Sequence, residues 1–231
     1  MISSISTHAI APGNVLRGQG AWAEALPLIA ELCQKPFVLG RSAATAESRQ
    51  RLRRDLQATG LSVAIGELEF DCCEQDLQRL AAEIKSSGSD AVVAAGGGKV
   101  LDAGKLLADR LGLTCITVPT SAATCAGWTA LANIYSPHGA FEGDVALRHC
   151  PELLIFDHDL VAQAPARTLA SGIADAMAKW YEASVSSGSS SDGLVQQAVQ
   201  QARALRDQLL LEGLEAIEHP GGEAWQRVAE A

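Results

Sequence analysis

Aromatic side chains are scarce, at 4% of 231 residues, and only two methionines accompany them. Any core must therefore be built mostly from aliphatic side chains. With 48% hydrophobic residues the chain is long enough for one or two packed domains and does not resemble a disordered segment. Basic charge is also short. Eighteen Lys and Arg stand against 27 Asp and Glu, a net charge of -9 that repels phosphate backbones and excludes nucleic acid as an expected partner. The local exception "SRQRLRRDL", with Arg49, Arg51, Arg53 and Arg54, reads as the solvated face of a helix. The six cysteines, Cys33, Cys72, Cys73, Cys115, Cys125 and Cys150, lack CxxC spacing, which excludes a zinc ribbon and leaves reduced thiols as the expectation. The start "MISSISTHAIAPG" lacks the basic flank and apolar run of an export signal. No run approaches the about 18 apolar residues that would cross a bilayer. A cytoplasmic chain without a membrane partner is expected.

Short β-type runs alternate with helical stretches. "PFVLG" precedes "AESRQRLRRDLQATG", "LSVAIG" precedes "CEQDLQRLAAEIKSSG", and "DAVVAAGGG" precedes a helix over residues 99–111 and then "LTCITVPT". The alternation predicts a parallel sheet covered by helices, with Gly60 and Gly88 as helix stops. "WTALANIYSPHGAF" reads as a β-hairpin turning at residues 136–139. Beyond Phe156 the periodicity is helical only, in "PARTLASGIADAMAKWYEAS", "LVQQAVQQARALRDQLLLEGLEAI" and "EAWQRVAEA", with the loop "SSGSSSDG" between the first two. The fold class is α/β, a parallel-sheet domain over residues 1–158 followed by the beginning of an all-helical domain over residues 159–231. "EAWQRVAEA" ends in mid-pattern without a stop residue, so the chain is expected to be cut short.

"VVAAGGGKVLDAGK" sets three glycines between a strand and a helix. Backbone N–H groups there, with the helix dipole behind them, make an anion site that a diphosphate can approach closely. The stretch fits neither G-x-G-x-x-G nor a Walker A loop, in which Ser or Thr would follow the lysine where Val100 stands, and it follows the third predicted strand. A phosphate cradle and a tight structural turn fit this pattern equally well. A second stretch, "SGIADAMAKW", places Asp175 among Ile173, Ala174, Ala176 and Met177, in the first turn of what reads as a buried helix. A carboxylate in such surroundings needs a cation or a hydrogen-bonding partner.

Taken in order and spacing, "GGGKVLDAGK", "VPTSAATCAGWTALANIYSPHGAFE" and "APARTLASGIADAMAKWYEA" resemble the iron-containing (group III) alcohol dehydrogenase family, in its glycerol dehydrogenase-like branch. The likeness starts near Val15, runs to Ala183, and implies a dehydroquinate synthase-like architecture. It implies a metal-dependent alcohol or polyol dehydrogenase that transfers hydride from a metal-bound alkoxide to NAD or NADP. Gly96, Gly97, Gly98 and Lys99 would cradle the diphosphate, and Asp102 would belong to the same motif. Asp102 reads equally as a helix-start acid paired with Lys105 or Arg110. Thr120, Thr129, Leu131 and Tyr135 fall where the family contacts its cofactor, although Thr129 and Leu131 also suit hairpin packing. Asp175 matches the family's aspartate metal ligand for zinc or iron, which two histidines would complete.

Three departures bear on that reading. His8, His138, His149, His158 and His219 match no family ligand motif and read as surface or turn residues, so a divalent ion is expected to be weakly held or absent. Cys125 occupies the place of an aspartate that binds the polyol in glycerol dehydrogenases, and a thiol does not replace that acceptor. Arg41, after "VLG", stands where the family often has an acid for the adenosine ribose, which favours NADP. The expected partners are a small alcohol or polyol and further copies of the chain. The alternative is an inactive or degenerate dinucleotide-binding or oligomerising protein without metal chemistry.

Overall fold

The computed structural model describes residues 7–41 and 43–231. Residues 1–6, part of the start read as lacking an export signal, and Ser42 of "VLGRS" lie outside the described residues. The chain forms two compact units. The first runs to Thr120 and resumes over Cys125–Asp157, and the second takes in Ser121–Thr124 and His158–Ala231.

In the first unit, strands β1 (Asn14–Gly18), β2 (Pro36–Gly40), β3 (Ala64–Glu67), β4 (Ala91–Gly96), β5 (Thr114–Pro119) and β8 (Leu153–Asp157) form a six-stranded parallel sheet. Its order is β1-β8-β5-β4-β2-β3. Helices α1 (Ala21–Leu32), α2 (Ala46–Ala58), α3 (Glu74–Ser87) and α4 (Gly98–Leu111) make the crossovers, and β6 (Leu131–Tyr135) with β7 (Phe141–Ala146) forms a separate antiparallel hairpin. Strands β2, β4 and β8 are buried along their whole length, as expected of parallel strands covered on both faces. Gly88 and Gly112 end α3 and α4 at φ 65° and 66°, where a Cβ would be penalised.

Strand β1 was not legible in the sequence, so "PFVLG" is the second strand and the glycine turn follows the fourth strand rather than the third. The reason is local: "NVLRG" has no apolar run, and this half-exposed edge strand is held by its parallel register with β8. Its neighbour α1 starts at Gly20, which has no side chain to cap it, and Asp157 at the end of β8 accepts the Trp22 N–H instead, at 2.8 Å.

Right-handed crossovers place α1 and α2 on one face, where Trp22 Nε1 donates to Asp55 Oδ2 at 2.9 Å, and α3 and α4 on the other, where Arg110 bridges to Glu74 at 2.6 Å. The arginine-rich helix α2 is not uniformly solvated: Arg49 is buried and bonds Glu67 Oε1 at 2.5 Å. A core cluster lies beneath α3, α4 and the hairpin, with Phe37, Leu39, Leu80, Val92 and Leu101 among its members.

The second unit comprises α5 (His158–Val161), α6 (Ala166–Ser187), α7 (Gly193–Glu218) and α8 (Glu223–Glu230). Asp192 caps α7 by accepting N–H bonds from Leu194 and Val195. His158 is not a surface or turn residue, because it is buried against Trp225 with Nε2 2.7 Å from Glu230 Oε1. The reading of "SGIADAMAKW" is also corrected. Asp175 lies well inside the 22-residue α6, whose one buried residue is Leu169, so it occupies neither a first turn nor a buried helix. Its alanine-rich neighbours pass for core in sequence, but the helix leaves most of its circumference open.

Gly104 is where α4 meets β4: a Cβ there would lie 2.4 Å from the Ala94 Cβ. Gly104→Ala gains about 1 kcal/mol of helix propensity and loses about 1–3 kcal/mol by overpacking, so net destabilisation is expected in urea unfolding. A stabilised variant would contradict that balance.

Candidate functional site

The direction of connection reverses between β2 and β4. From β2 the chain moves outward to β3, and from β4 it moves the opposite way to β5. In open parallel sheets the crevice at the carboxyl ends of two such strands is where ligands bind. Gly40 and Arg41 lie at one side of this crevice and Gly96, Gly97 and Gly98 at the other.

The turn is shaped by missing side chains. A Cβ on Gly96 would lie 2.7 Å from the Val100 Cβ, so only glycine lets the strand end and the first turn of α4 come this close. Gly97 is the N-cap of α4, in an extended conformation and with no side-chain cap. Gly98 opens the helix, leaving first-turn N–H groups and the positive end of a 14-residue dipole without a side-chain acceptor. Thr120, just past β5, donates its N–H to the Gly96 carbonyl at 3.1 Å and ties the two strand ends together.

Lys99 does not lean over the turn. Its ammonium pairs with Asp71, in the loop between β3 and α3, and sits 5.4 Å from the centre of the Tyr135 ring. Asp71 is buried, with its other oxygen accepting the Cys72 N–H at 2.8 Å. The sequence reading passed over Asp71. The available signal was an acid between Phe70 and two cysteines, the same pattern that drew attention to Asp175.

Asp102 and Lys105 are buried one turn apart on α4 and form an ion pair at 3.1 Å, while Arg110 goes to Glu74. Asp102 also accepts the Asn133 N–H at 3.3 Å. Lys105 donates to the Thr129 carbonyl at 3.1 Å, to Thr129 Oγ1 at 3.2 Å, and to the Leu131 carbonyl. These two charges pin the hairpin to α4. Burial pushes the Asp102 carboxyl above the usual carboxylate range, although Lys105 and the Asn133 N–H pull it down. An acid raised in the folded state binds its proton more tightly there than in the unfolded chain, so its contribution to stability falls as pH rises through that range.

The structure thus brings together Gly96, Gly97, Gly98, Lys99, Asp102, Thr120, Thr129, Leu131 and Tyr135 around α4 and the hairpin. Arg41 is exposed beyond β2, beside Gly40, against which the Arg49 side chain packs. Cys125 is exposed, and its carbonyl accepts the Trp128 N–H at 2.9 Å. A cavity of about 330 Å³ lies at the opposite, amino-terminal edge of the sheet, lined by Asp109, Arg148 and Glu152 among others.

Asp175 belongs to the second unit, with its side chain 54% exposed and Lys179 Nζ at 3.7 Å. No group of three or more His, Cys, Asp or Glu side chains able to hold a metal occurs among the described residues. A lone exposed carboxylate already facing an ammonium does not fit a divalent ion, which needs three or four protein ligands to be held tightly.

A doubly wound parallel sheet with a glycine-built helix start at its switch point, followed by a helical unit, defines an α/β protein of the open, parallel-sheet class. Residues 12–158 match the sequence model of the iron-containing alcohol dehydrogenases, and the chain belongs to that family. It is 47% identical over 223 residues to an uncharacterised oxidoreductase of Synechocystis sp., covering 96% of this chain and 57% of that protein. It is 31% identical over 229 residues to a glycerol dehydrogenase of Escherichia coli, covering 95% and 62%. The crystal structure of glycerol dehydrogenase from Schizosaccharomyces pombe superposes with a TM-score of 0.86 at 26% identity, covering 98% of this chain and 60% of that one. The chain therefore spans about three fifths of the length of the relatives it matches.

The Asp102–Lys105 pair gives a stability test. Lys105→Met strands a buried carboxylate and is expected to cost about 3–5 kcal/mol, whereas Asp102→Leu with Lys105→Met, which removes both charges, is expected to cost less than the sum of the two single variants. Denaturant unfolding of the single and double variants measures this, and additive losses would contradict the pairing.

Proposed function

We propose that the first unit binds a nicotinamide dinucleotide, with its diphosphate on the turn formed by Gly96, Gly97 and Gly98, and that the protein is an NAD(P)-linked alcohol or polyol dehydrogenase. The observation that carries this reading is the uncapped start of α4 at the carboxyl end of β4, beside the reversal in strand order. Backbone N–H groups would bind the diphosphate there, where the missing Cβ atoms let it approach. Arg41, exposed at the end of the neighbouring strand, suits a ribose 2'-phosphate and favours NADP. Thr120 fixes the β5 side of the crevice, and the hairpin carrying Leu131 and Tyr135 is held as a rigid wall by Asp102 and Lys105. When bound, a nicotinamide accepts hydride from the carbinol carbon of an alcohol. The relatives named as glycerol dehydrogenases point to a small polyol as substrate, while Cys125, a thiol where the family resemblance would place a polyol-binding acid, points away from glycerol itself.

One observation favours a second reading. Asp175 is half exposed and faces Lys179 Nζ at 3.7 Å, an ion pair that suits a dinucleotide-binding protein without metal chemistry. Metal analysis of the purified chain separates the two. A stoichiometric, tightly bound zinc or iron would overturn the second reading.

Gly97→Asp tests the cradle with a favourable sign on the fold. Gly97 is extended, so aspartate fits its backbone and caps α4, raising stability or leaving it unchanged. The same carboxylate occupies and repels the diphosphate position. NADH fluorescence titration should show affinity falling at least about tenfold, since like-charge juxtaposition costs several kcal/mol. Undiminished NADH affinity would contradict the placement. A second titration compares NADPH with NADH: Arg41→Ala should weaken NADPH and spare NADH, and equal effects on both would remove Arg41 from the ribose site.

A further inference from the structure

The open side of α7 is patterned. The helix turns Val199, Leu209, Gly213 and Ala216 inward, and its outer face carries Leu210, Leu211 and Leu214 at 64%, 84% and 71% exposure. Leucines scattered singly over a surface need no explanation, but three side by side form an apolar patch of the kind that marks an interaction surface. The charges around the patch are ordered too. At the helical spacing i, i+4, i+7, i+11 and i+15 one face carries Arg203, Asp207, Leu210, Leu214 and Glu218. Arg203 stands seven residues before Leu210 and Glu218 seven after Leu211; both are exposed, and neither has a hydrogen-bond or ion-pair partner among the described residues. Arg206 and Glu215, at the flank of the stripe, each stand four residues out from the same two leucines. Asp207, the acid inside the stripe, is already balanced by Arg206 at 2.5 Å, and that guanidinium lies over the Trp180 ring at 4.6 Å.

A helix face with an apolar centre, bases before it and acids at the mirror-image places after it is complementary to itself reversed. The midpoint of Arg203 and Glu218 falls between Leu210 and Leu211, and so does the midpoint of Arg206 and Glu215. Laid antiparallel about a two-fold axis at that point, Arg203 of each copy meets Glu218 of the other, Arg206 meets Glu215, and leucine meets leucine between them. Parallel pairing would instead set Arg203 against Arg203 and Glu218 against Glu218, and would align the two helix dipoles.

We propose that the outer face of α7 is a self-association surface, on which a second copy of the chain docks antiparallel about Leu210 and Leu211. The stripe from Arg203 to Glu218 is about 22 Å long at the helical rise, less than an interface of standard size offers, so the dimer is of micromolar rather than nanomolar strength. The leucines supply the attraction and the flanking charges fix direction and register. This surface is independent of the dinucleotide reading above.

Sedimentation velocity on the full chain should show monomer passing to dimer across the micromolar range, and Leu211→Gln should weaken that dimer at least about tenfold. Arg203→Glu and Glu218→Arg each bring like charges together at both ends of the reversed pair, and each should weaken it about tenfold. Within one copy the two positions are about 22 Å apart, too far for one change to repair the other. Between copies they can. Arg203→Glu combined with Glu218→Arg in one chain should recover wild-type association, and an equimolar mixture of the two single variants should dimerise at concentrations where neither does alone. A wild-type chain that stays monomeric throughout the range, as it would if the stripe served a different partner, overturns the proposal. So does a dimer indifferent to both single charge changes, or a double variant and a mixture that associate no better than the single variants.

Discussion

The first unit depends on how closely α4 approaches β4. Gly96 and Gly104 lack the atoms that would collide with Val100 and Ala94, so a helix start is set directly against the end of a central strand. That proximity fixes the rest of the site. It puts the helix dipole at the switch point, lets Asp102 and Lys105 reach the hairpin, and aims Lys99 at the loop between β3 and α3. A methyl group at either glycine would push α4 outward and loosen all three connections.

Much of the first unit is legible in sequence because its elements are locally consistent. Buried strands read as unbroken apolar runs and helices stop at glycine, so β2, β4, β5, α3 and α4 could be placed from the chain alone. Strand β1 could not, since its evidence lies in distant β8: the parallel register with that strand, and Asp157, 135 residues beyond Trp22, which accepts the Trp22 N–H at the start of α1. Membership of the family was legible too, through three motifs in register, and the match over residues 12–158 agrees.

The residues singled out at the glycine turn and the hairpin lie together around α4, but their partners were less legible. An acid among apolar neighbours must be paired, and that argument was sound, but sequence led it to Asp175, which is exposed on an open helix. The acids that meet the condition are Asp71, Asp76, Asp102 and Asp157, each buried and each satisfied by an N–H group or a cation. A helix buries one face only, and an alanine-rich stretch does not declare which. Lys99 shows the same limit. A lysine after three glycines suggests a phosphate, and its actual partner comes from a loop 28 residues earlier.

The central claim is that the start of α4 is the ligand site of the first unit. Amide chemical-shift mapping with ADP tests it most directly, because it reports location without requiring turnover. The account predicts that the largest shifts fall on Gly97, Gly98 and Lys99. It would be contradicted by shifts centred on Arg148 and His149, beside the cavity at the other edge of the sheet.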